Sequence, residues 1–93
     1  MGITVTEENI IYVGKKPTMN YVLAIVTQFN NNVDQITIKA RGKAISKAVD
    51  IAEITKHKFL QEVKYDRITL DTEVLTGERG ESNVSSIEIT LKR

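Results

Sequence analysis

Lys15 and Lys16 sit between Gly14 and Pro17, and Lys39, Arg41, Lys43 and Lys47 bracket Gly42. Amines and a guanidinium clustered at this spacing do one kind of chemistry well, which is to neutralise anions. Each cluster falls where a strand pattern hands over to a helix pattern. The first N–H groups of a helix have no intrahelical partner and carry partial positive charge, so a cation beside them completes an anion site. The same placement mildly opposes helix stability, which favours Asp or Glu at that end, and a residue held against that preference points to a ligand. Lys43 and Lys47, one helical turn apart, repeat the pattern at the start of the second helix. The residues alone leave two readings open: a phosphate-binding surface, or a solvated basic face.

Other chemistries find little support. The chain has no cysteine, which excludes disulfides, thiolate nucleophiles and thiolate metal sites. Its one histidine, His57, lies in Lys56-His57-Lys58, where a helix C-terminus favours a cation and no relay partner is in view. A single histidine builds no metal cluster. Asp71 and Glu73 are two apart on a strand and share a face, as residues of any solvated strand do. Gly14-Lys15-Lys16-Pro17 lacks the second glycine, the spacing and the Ser/Thr of a P-loop, and Arg41-Gly42-Lys43 is no dinucleotide fingerprint. The expectation is a binding protein without enzymatic activity, metal or cofactor.

Three more places could touch a polyanion. Arg79 stands in a glycine-bracketed tip, Thr76-Gly77-Glu78-Arg79-Gly80-Glu81-Ser82, from which an arginine could enter a narrow minor groove. Glu78 and Glu81 beside it would repel phosphate. Asn20 and Tyr21, just after the lysine pair, are candidates for contact with a base or sugar. Tyr21 and Phe59 could each stack a base, although aromatics at helical spacing also serve core or interface.

The elements that must position these residues follow from periodicity. Asn9 to Val13 reads as a short buried strand ended by Gly14. Pro17 suits the first turn of a helix, where its missing N–H costs nothing. Met19, Val22, Leu23, Val26 and Phe29 then keep helical spacing, with Ile25 widening the stripe. Asn30-Asn31-Asn32 closes that helix, because asparagine tolerates the left-handed conformation. From Val33 to Ala40 the period becomes two, with Ile36, Ile38 and Ala40 opposite Thr37 and Lys39. Arg41-Gly42 turns the chain into a second helix over about residues 43–57. Its apolar stripe, Ala44, Ile45, Ala48, Val49, Ile51 and Ala52, is wider than one sheet face needs, leaving part for a partner subunit. A hairpin completes the chain: Ile68, Leu70, Thr72 and Val74 alternate in one arm, Ile87, Ile89 and Leu91 in the other.

This order predicts a single α+β domain over residues 1–93, a two-layer β-α-β-α-β-β sandwich. Both helices pack on one face of a four-stranded sheet with a long final hairpin. Ninety-three residues, 41% hydrophobic and 27% charged, suit one such folded domain and not two. No apolar run approaches the ~20 residues of a membrane span. Met-Gly-Ile-Thr-Val-Thr-Glu-Glu lacks the pattern of a signal peptide, so a cytoplasmic protein is expected. The net charge is only +1, but it is unevenly spread. Between residues 15 and 58 eight Lys/Arg face three Asp/Glu, and between 59 and 91 three face seven. Such asymmetry predicts one basic and one acidic surface.

The blocks Gly14-Lys15-Lys16-Pro17…Met19-Asn20-Tyr21-Val22 and Ile38-Lys39-Ala40-Arg41-Gly42-Lys43-Ala44-Ile45-Ser46-Lys47-Ala48-Val49-Asp50 closely resemble the two signature blocks of the Alba family. These are small archaeal chromatin and RNA-binding proteins. Ser85-Ser86-Ile87-Glu88-Ile89 resembles the family's closing strand, and the likeness runs over about residues 9–92. The resemblance implies the fold of the C-terminal domain of a bacterial translation initiation factor, working as a homodimer. It implies that Lys15 and Lys16, Arg41 and Lys43, with Lys47 close by, contact the nucleic-acid backbone. It places Arg79 at the tip of an arm reaching toward the minor groove, and Phe59 in contacts between neighbouring dimers. It makes Lys15 and Lys16 acceptors for acetylation, which would remove a phosphate partner.

The expected function is therefore sequence-blind binding of double-stranded DNA and RNA by a homodimer associated with the chromosome. Where the family often has a second arginine this chain has Lys43, which cannot make a bidentate contact. With the acidic tip, that predicts weaker and more salt-sensitive binding than a strongly basic member would show. Two alternatives stay open: an RNA-dedicated ribonucleoprotein component, and a protein-interaction module working through the acidic hairpin face.

Overall fold

The computed structural model describes residues 9–93. The segment 1–8, read above for a leader pattern, lies outside the described residues. The elements run β1 (Ile10–Tyr12), α1 (Thr18–Asn30), β2 (Gln35–Arg41), a 3₁₀ turn (Gly42–Ala44) and α2 (Ile45–Ile54). A single π-type turn (Thr55–Phe59) then leads to β3 (Lys64–Gly77) and β4 (Gly80–Lys92). The four strands form one mixed sheet in the order β1-β2-β4-β3. β1 runs parallel to β2, whereas β4 is antiparallel to both β2 and β3.

The period-two pattern of β2 settles which face is inside. Ile36, Ile38 and Ala40 are buried, and through the β2–β4 register they align with Leu91, Ile89 and Ile87, which are buried too. Ile11 joins them from β1. Onto this face α1 lays Tyr21, Val22, Ile25 and Phe29, and α2 lays Ala48, Ile51 and Ala52. Leu60 and Val63 seal the end of the core between the π turn and β3. Phe29 is completely enclosed, so its truncation to alanine would cost about 3–5 kcal/mol in lost transfer and cavity. Both helices cover one face, as expected from the order of the elements.

Boundaries differ from the sequence reading in ways the local chemistry explains. Pro17 is the residue before α1, with φ −59° and ψ 148°, so it caps the helix from outside its first turn. Asn32 adopts φ 69°, the left-handed geometry that closes α1. The second helix does not run unbroken over 43–57. Gly42, at φ 58°, breaks the extended chain into a 3₁₀ turn before α2 begins. At the other end the Leu60 N–H bonds to the Thr55 carbonyl at 2.8 Å, widening the last turn to π geometry. The hairpin arms are much longer than the apolar alternation suggested. β3 and β4 pair from Lys64↔Lys92 out to Gly77↔Gly80, leaving only Glu78 and Arg79 in the turn. Gly80, at φ 105°, supplies the positive φ at which the arm re-enters the ladder.

Ile68 and Leu70 share a face with Ile89 and Ile87 yet stay 55% and 74% exposed. The helices pack over the sheet's other strands and leave β3, an edge strand, uncovered.

Candidate nucleic-acid interface

Parallel pairing of β1 and β2 brings the two cation blocks together. Tyr12 aligns with Lys39, and the Val13 N–H donates to the Lys39 carbonyl at 2.8 Å. Both strands therefore end at the same edge of the sheet, and both hand over to helices there. The loop carrying Lys15 and Lys16 comes to lie beside the turn carrying Arg41, Gly42 and Lys43. Neither helix has an acidic residue in its first turn or a side-chain cap, so both positive ends stay uncompensated.

Two side chains tie the first block down. The Tyr21 hydroxyl accepts the N–H of Gly14 at 2.8 Å and of Lys16 at 3.3 Å. The Lys47 ammonium donates to the carbonyl of Gly14 at 3.0 Å and of Lys16 at 2.9 Å. Lys47 is half-buried and Tyr21 only 3% exposed, so the Tyr21 ring packs in the core and offers no stacking surface. Lys15, Lys16, Arg41, Lys43, Asn20 and Arg79 are exposed.

Arg41 lies on the sheet face opposite the helices. Its guanidinium donates to the Glu73 carboxylate of β3 at 3.3 Å, while Lys39 lies 3.8 Å from Glu88. Tyr12, 59% exposed, sits on the same face with the Lys39 ammonium 5.9 Å from its ring centre. These residues line a shallow hollow of about 540 Å³ that also takes in Asp71 and Ser86. Pairing of Arg41 with Glu73 had no signal in the sequence. The two are 32 residues apart and meet only because β4 sets β2 and β3 in register.

The last β2–β4 pair is Arg41↔Ser86, so residues 72–77 and 80–85 pair only with each other. They form a free two-stranded arm about 20 Å long at ordinary strand rise. The arm leaves the sheet from the edge that carries both cation blocks, and Arg79 is at its tip. Phe59 lies elsewhere, on the π turn after α2, where it is 44% exposed.

Near that turn Glu53, His57 and Tyr65 form a cluster. Glu53 accepts a hydrogen bond from the Tyr65 hydroxyl and lies 3.2 Å from His57 Nε2. The Tyr65 bond is the main cause holding the Glu53 carboxyl below its usual range, and His57 adds to it. Burial first, then Glu53, raises the Tyr65 phenol. The cluster lies toward the C-terminal end of α2, away from the helix start that carries Lys47, and braces α2 against β3. Among the described residues no helix is long and apolar enough to cross a membrane.

Comparison with known proteins agrees with this geometry. The family model described as Alba matches residues 9–72, a span containing both cation blocks. The DNA/RNA-binding protein Alba of Picrophilus torridus is 80% identical over 88 residues, covering 94% of this chain and 98% of the relative. That of Thermoplasma volcanium is 77% identical over 87 residues, with the same coverage. The solved structure of Alba from Thermoplasma volcanium superposes with a TM-score of 0.88 at 76% identity, covering 91% of this chain and all of that one. ALBA1 from Trypanosoma brucei, at 22% identity and a TM-score of 0.74, covers 95% of this chain and 71% of its own, and shares the fold. With the signature blocks at the ends of two parallel strands and identity of this order along nearly the whole chain, the protein belongs to the Alba family.

Proposed function

We propose that this chain binds double-stranded DNA and RNA through their backbone phosphates, with little sequence preference, as a homodimer. The observation that carries the reading is convergence. Two cation-bearing loops, two uncompensated helix N-termini and the root of an arginine-tipped arm all meet at one edge of the sheet. In this reading Lys15, Lys16, Arg41 and Lys43 neutralise phosphates, Lys47 adds charge close behind them, and Asn20 contacts a sugar or base edge. Arg79 reaches the groove from the arm. The names of the relatives, DNA/RNA-binding proteins, support both nucleic acids as partners.

A homodimer supplies what the single chain lacks. Ile68, Leu70 and Val74 on β3 and Val49 on α2 are 41–74% exposed, a poor arrangement for an isolated protomer and a suitable one beneath a second copy. Phe59, exposed on its turn, is available for contact between neighbouring dimers along a duplex. We place the protein on the chromosome inside the cell, with Lys15 and Lys16 open to acetylation that would weaken phosphate contact.

A salt titration of binding to one duplex DNA and one structured RNA of equal length, read by fluorescence anisotropy, tests this. Counterion release predicts that log K falls with log[salt] at about −0.9 per phosphate contact on duplex DNA. Tight RNA binding with feeble DNA binding would assign an RNA-dedicated role instead. One observation favours a second reading: Asp71, Glu73 and Glu88 share the open sheet face. If neither nucleic acid binds at low salt, that acidic face becomes the working surface for a protein partner.

A further inference from the structure

We propose that Lys47 and Tyr21 are positioning residues of this interface. They lock the backbone of the Gly14–Lys16 loop so that Lys15 and Lys16 are presented in one arrangement, and they act through that loop and not on nucleic acid. The inference rests on the phosphate-binding reading above and redraws how its parts divide the work.

Residues 14–16 belong to no strand or helix, so no ladder holds their backbone. Among the described residues four side-chain bonds help to hold it. Gly14 and Lys16, on either side of Lys15, each give their N–H to the Tyr21 hydroxyl and their carbonyl to the Lys47 ammonium, at 2.8–3.3 Å. The donors and acceptors match: a phenol oxygen accepts two N–H groups, and an ammonium has three protons of which two are used here. Tyr21 comes from the first turn of α1 and Lys47 from the first turn of α2. The loop is thus fixed to both helices at once, which sets the lysine pair relative to Lys43.

This matters because a lysine pair on a loose loop must be ordered when it meets phosphate, and that cost subtracts from affinity. Ordering the loop in the free protein removes it. Tyr21 cannot take a direct role as well, since it is 3% exposed. Lys47 is half-buried with two of its three protons engaged.

A double-mutant cycle on duplex DNA binding tests the assignment. Lys47→Met should weaken binding about 10-fold in the native background, and under about 2-fold once Lys15→Ala and Lys16→Ala are present, because coupled residues are not additive. The sharper readout is Tyr21→Phe, which removes one hydroxyl and no charge. It should lower affinity about 3-fold or more and also flatten the salt dependence of binding, because fewer phosphates are engaged. Without nucleic acid, amide exchange at Gly14 and Lys16 should accelerate in Tyr21→Phe and in Lys47→Met. Equal losses from Lys47→Met in both backgrounds would make Lys47 an independent phosphate ligand and overturn the proposal. So would a Tyr21→Phe protein with native affinity, native salt slope and native exchange. If the native protein binds no duplex at low salt, the phosphate reading itself falls and takes this assignment with it. If it binds and loses binding with Lys15→Ala and Lys16→Ala while Lys47→Met stays additive, only the positioning role is lost. Unfolding midpoints guard against misfolding, and Lys47→Arg, which keeps N–H donors, supplies a second variant if Lys47→Met does not fold.

Discussion

Arg41 reaches over β4 to place its guanidinium 3.3 Å from the Glu73 carboxylate on β3, with both side chains about half exposed. The cation that ends β2 is therefore already paired within the free protein. A phosphate arriving at Arg41 must compete with Glu73 or displace it. The same carboxylate sits at the root of the hairpin arm, so the pair also tethers the arm to the sheet edge.

Glu73→Gln should consequently tighten binding to duplex DNA. An exposed pair is worth at most about 1 kcal/mol, so the expected gain is about 2- to 5-fold at low salt. Part of any gain comes simply from removing a negative charge near the duplex. Repeating the substitution beside Arg41→Ala separates the two effects. The gain should shrink in that background if competition for Arg41 is the cause.

Reversing the lysine pair is the most severe test of the site. Lys15→Glu with Lys16→Glu reverses two charges on each chain at the point where both helix N-termini converge. Binding at moderate salt should fall more than about 100-fold, given the steep dependence of affinity on phosphate contacts. Both side chains are exposed and outside the core, so the thermal unfolding midpoint should stay close to native. Retained affinity would remove these residues from the interface.

Much of this was legible in the sequence because local rules and global fold agree. The alternation of Ile36, Ile38 and Ala40, the helix spanning Met19 to Phe29, and Gly42 before a helix each pointed to what the structure has, but the buried face of α1 is Tyr21, Val22, Ile25 and Phe29, with Met19 and Leu23 of the expected stripe exposed. The long hairpin was legible, but not its full pairing: β3 continues past Val74 to Gly77, and β4 already begins at Gly80, in a stretch to Ser85 where polar and charged residues dominate and no apolar period marks a strand. The bonds that organise the site were not legible. Lys47 is 31 residues from Lys16, and Arg41 is 32 from Glu73, so only the strand register brings them together. A lysine tied to carbonyls and a lysine open to phosphate look the same as letters. Tyr21 sits at the boundary of the core stripe, and only its hydroxyl's partners show which way it works.

Leu70 tests the second copy. It is 74% exposed and aligned with buried Ile87, so its own protomer gains little by burying it. Leu70→Glu should leave the protomer folded and lower the mass in solution from twice 10.5 kDa to 10.5 kDa, read by light scattering. An unchanged mass for this variant would move the dimer interface away from β3.

The Glu53–Tyr65 link predicts a pH signature of stability that is independent of nucleic acid. Glu53 is held below its ordinary 4.5, so its contribution is present above that pH and disappears as pH falls through the lowered value. Tyr65 is raised above its ordinary 10.0, so its contribution is present below pH 10.0 and is lost as pH rises beyond it. Tyr65→Phe removes the hydroxyl while keeping the ring. Urea midpoints of native and Tyr65→Phe proteins should therefore differ most between about pH 5 and 10 and converge toward both extremes. The sign follows from which form each group prefers when folded: Glu53 ionised, Tyr65 neutral, joined by one hydrogen bond that requires both states. A gap that stays constant from acid to alkali would mean that the hydroxyl stabilises α2 against β3 through packing alone.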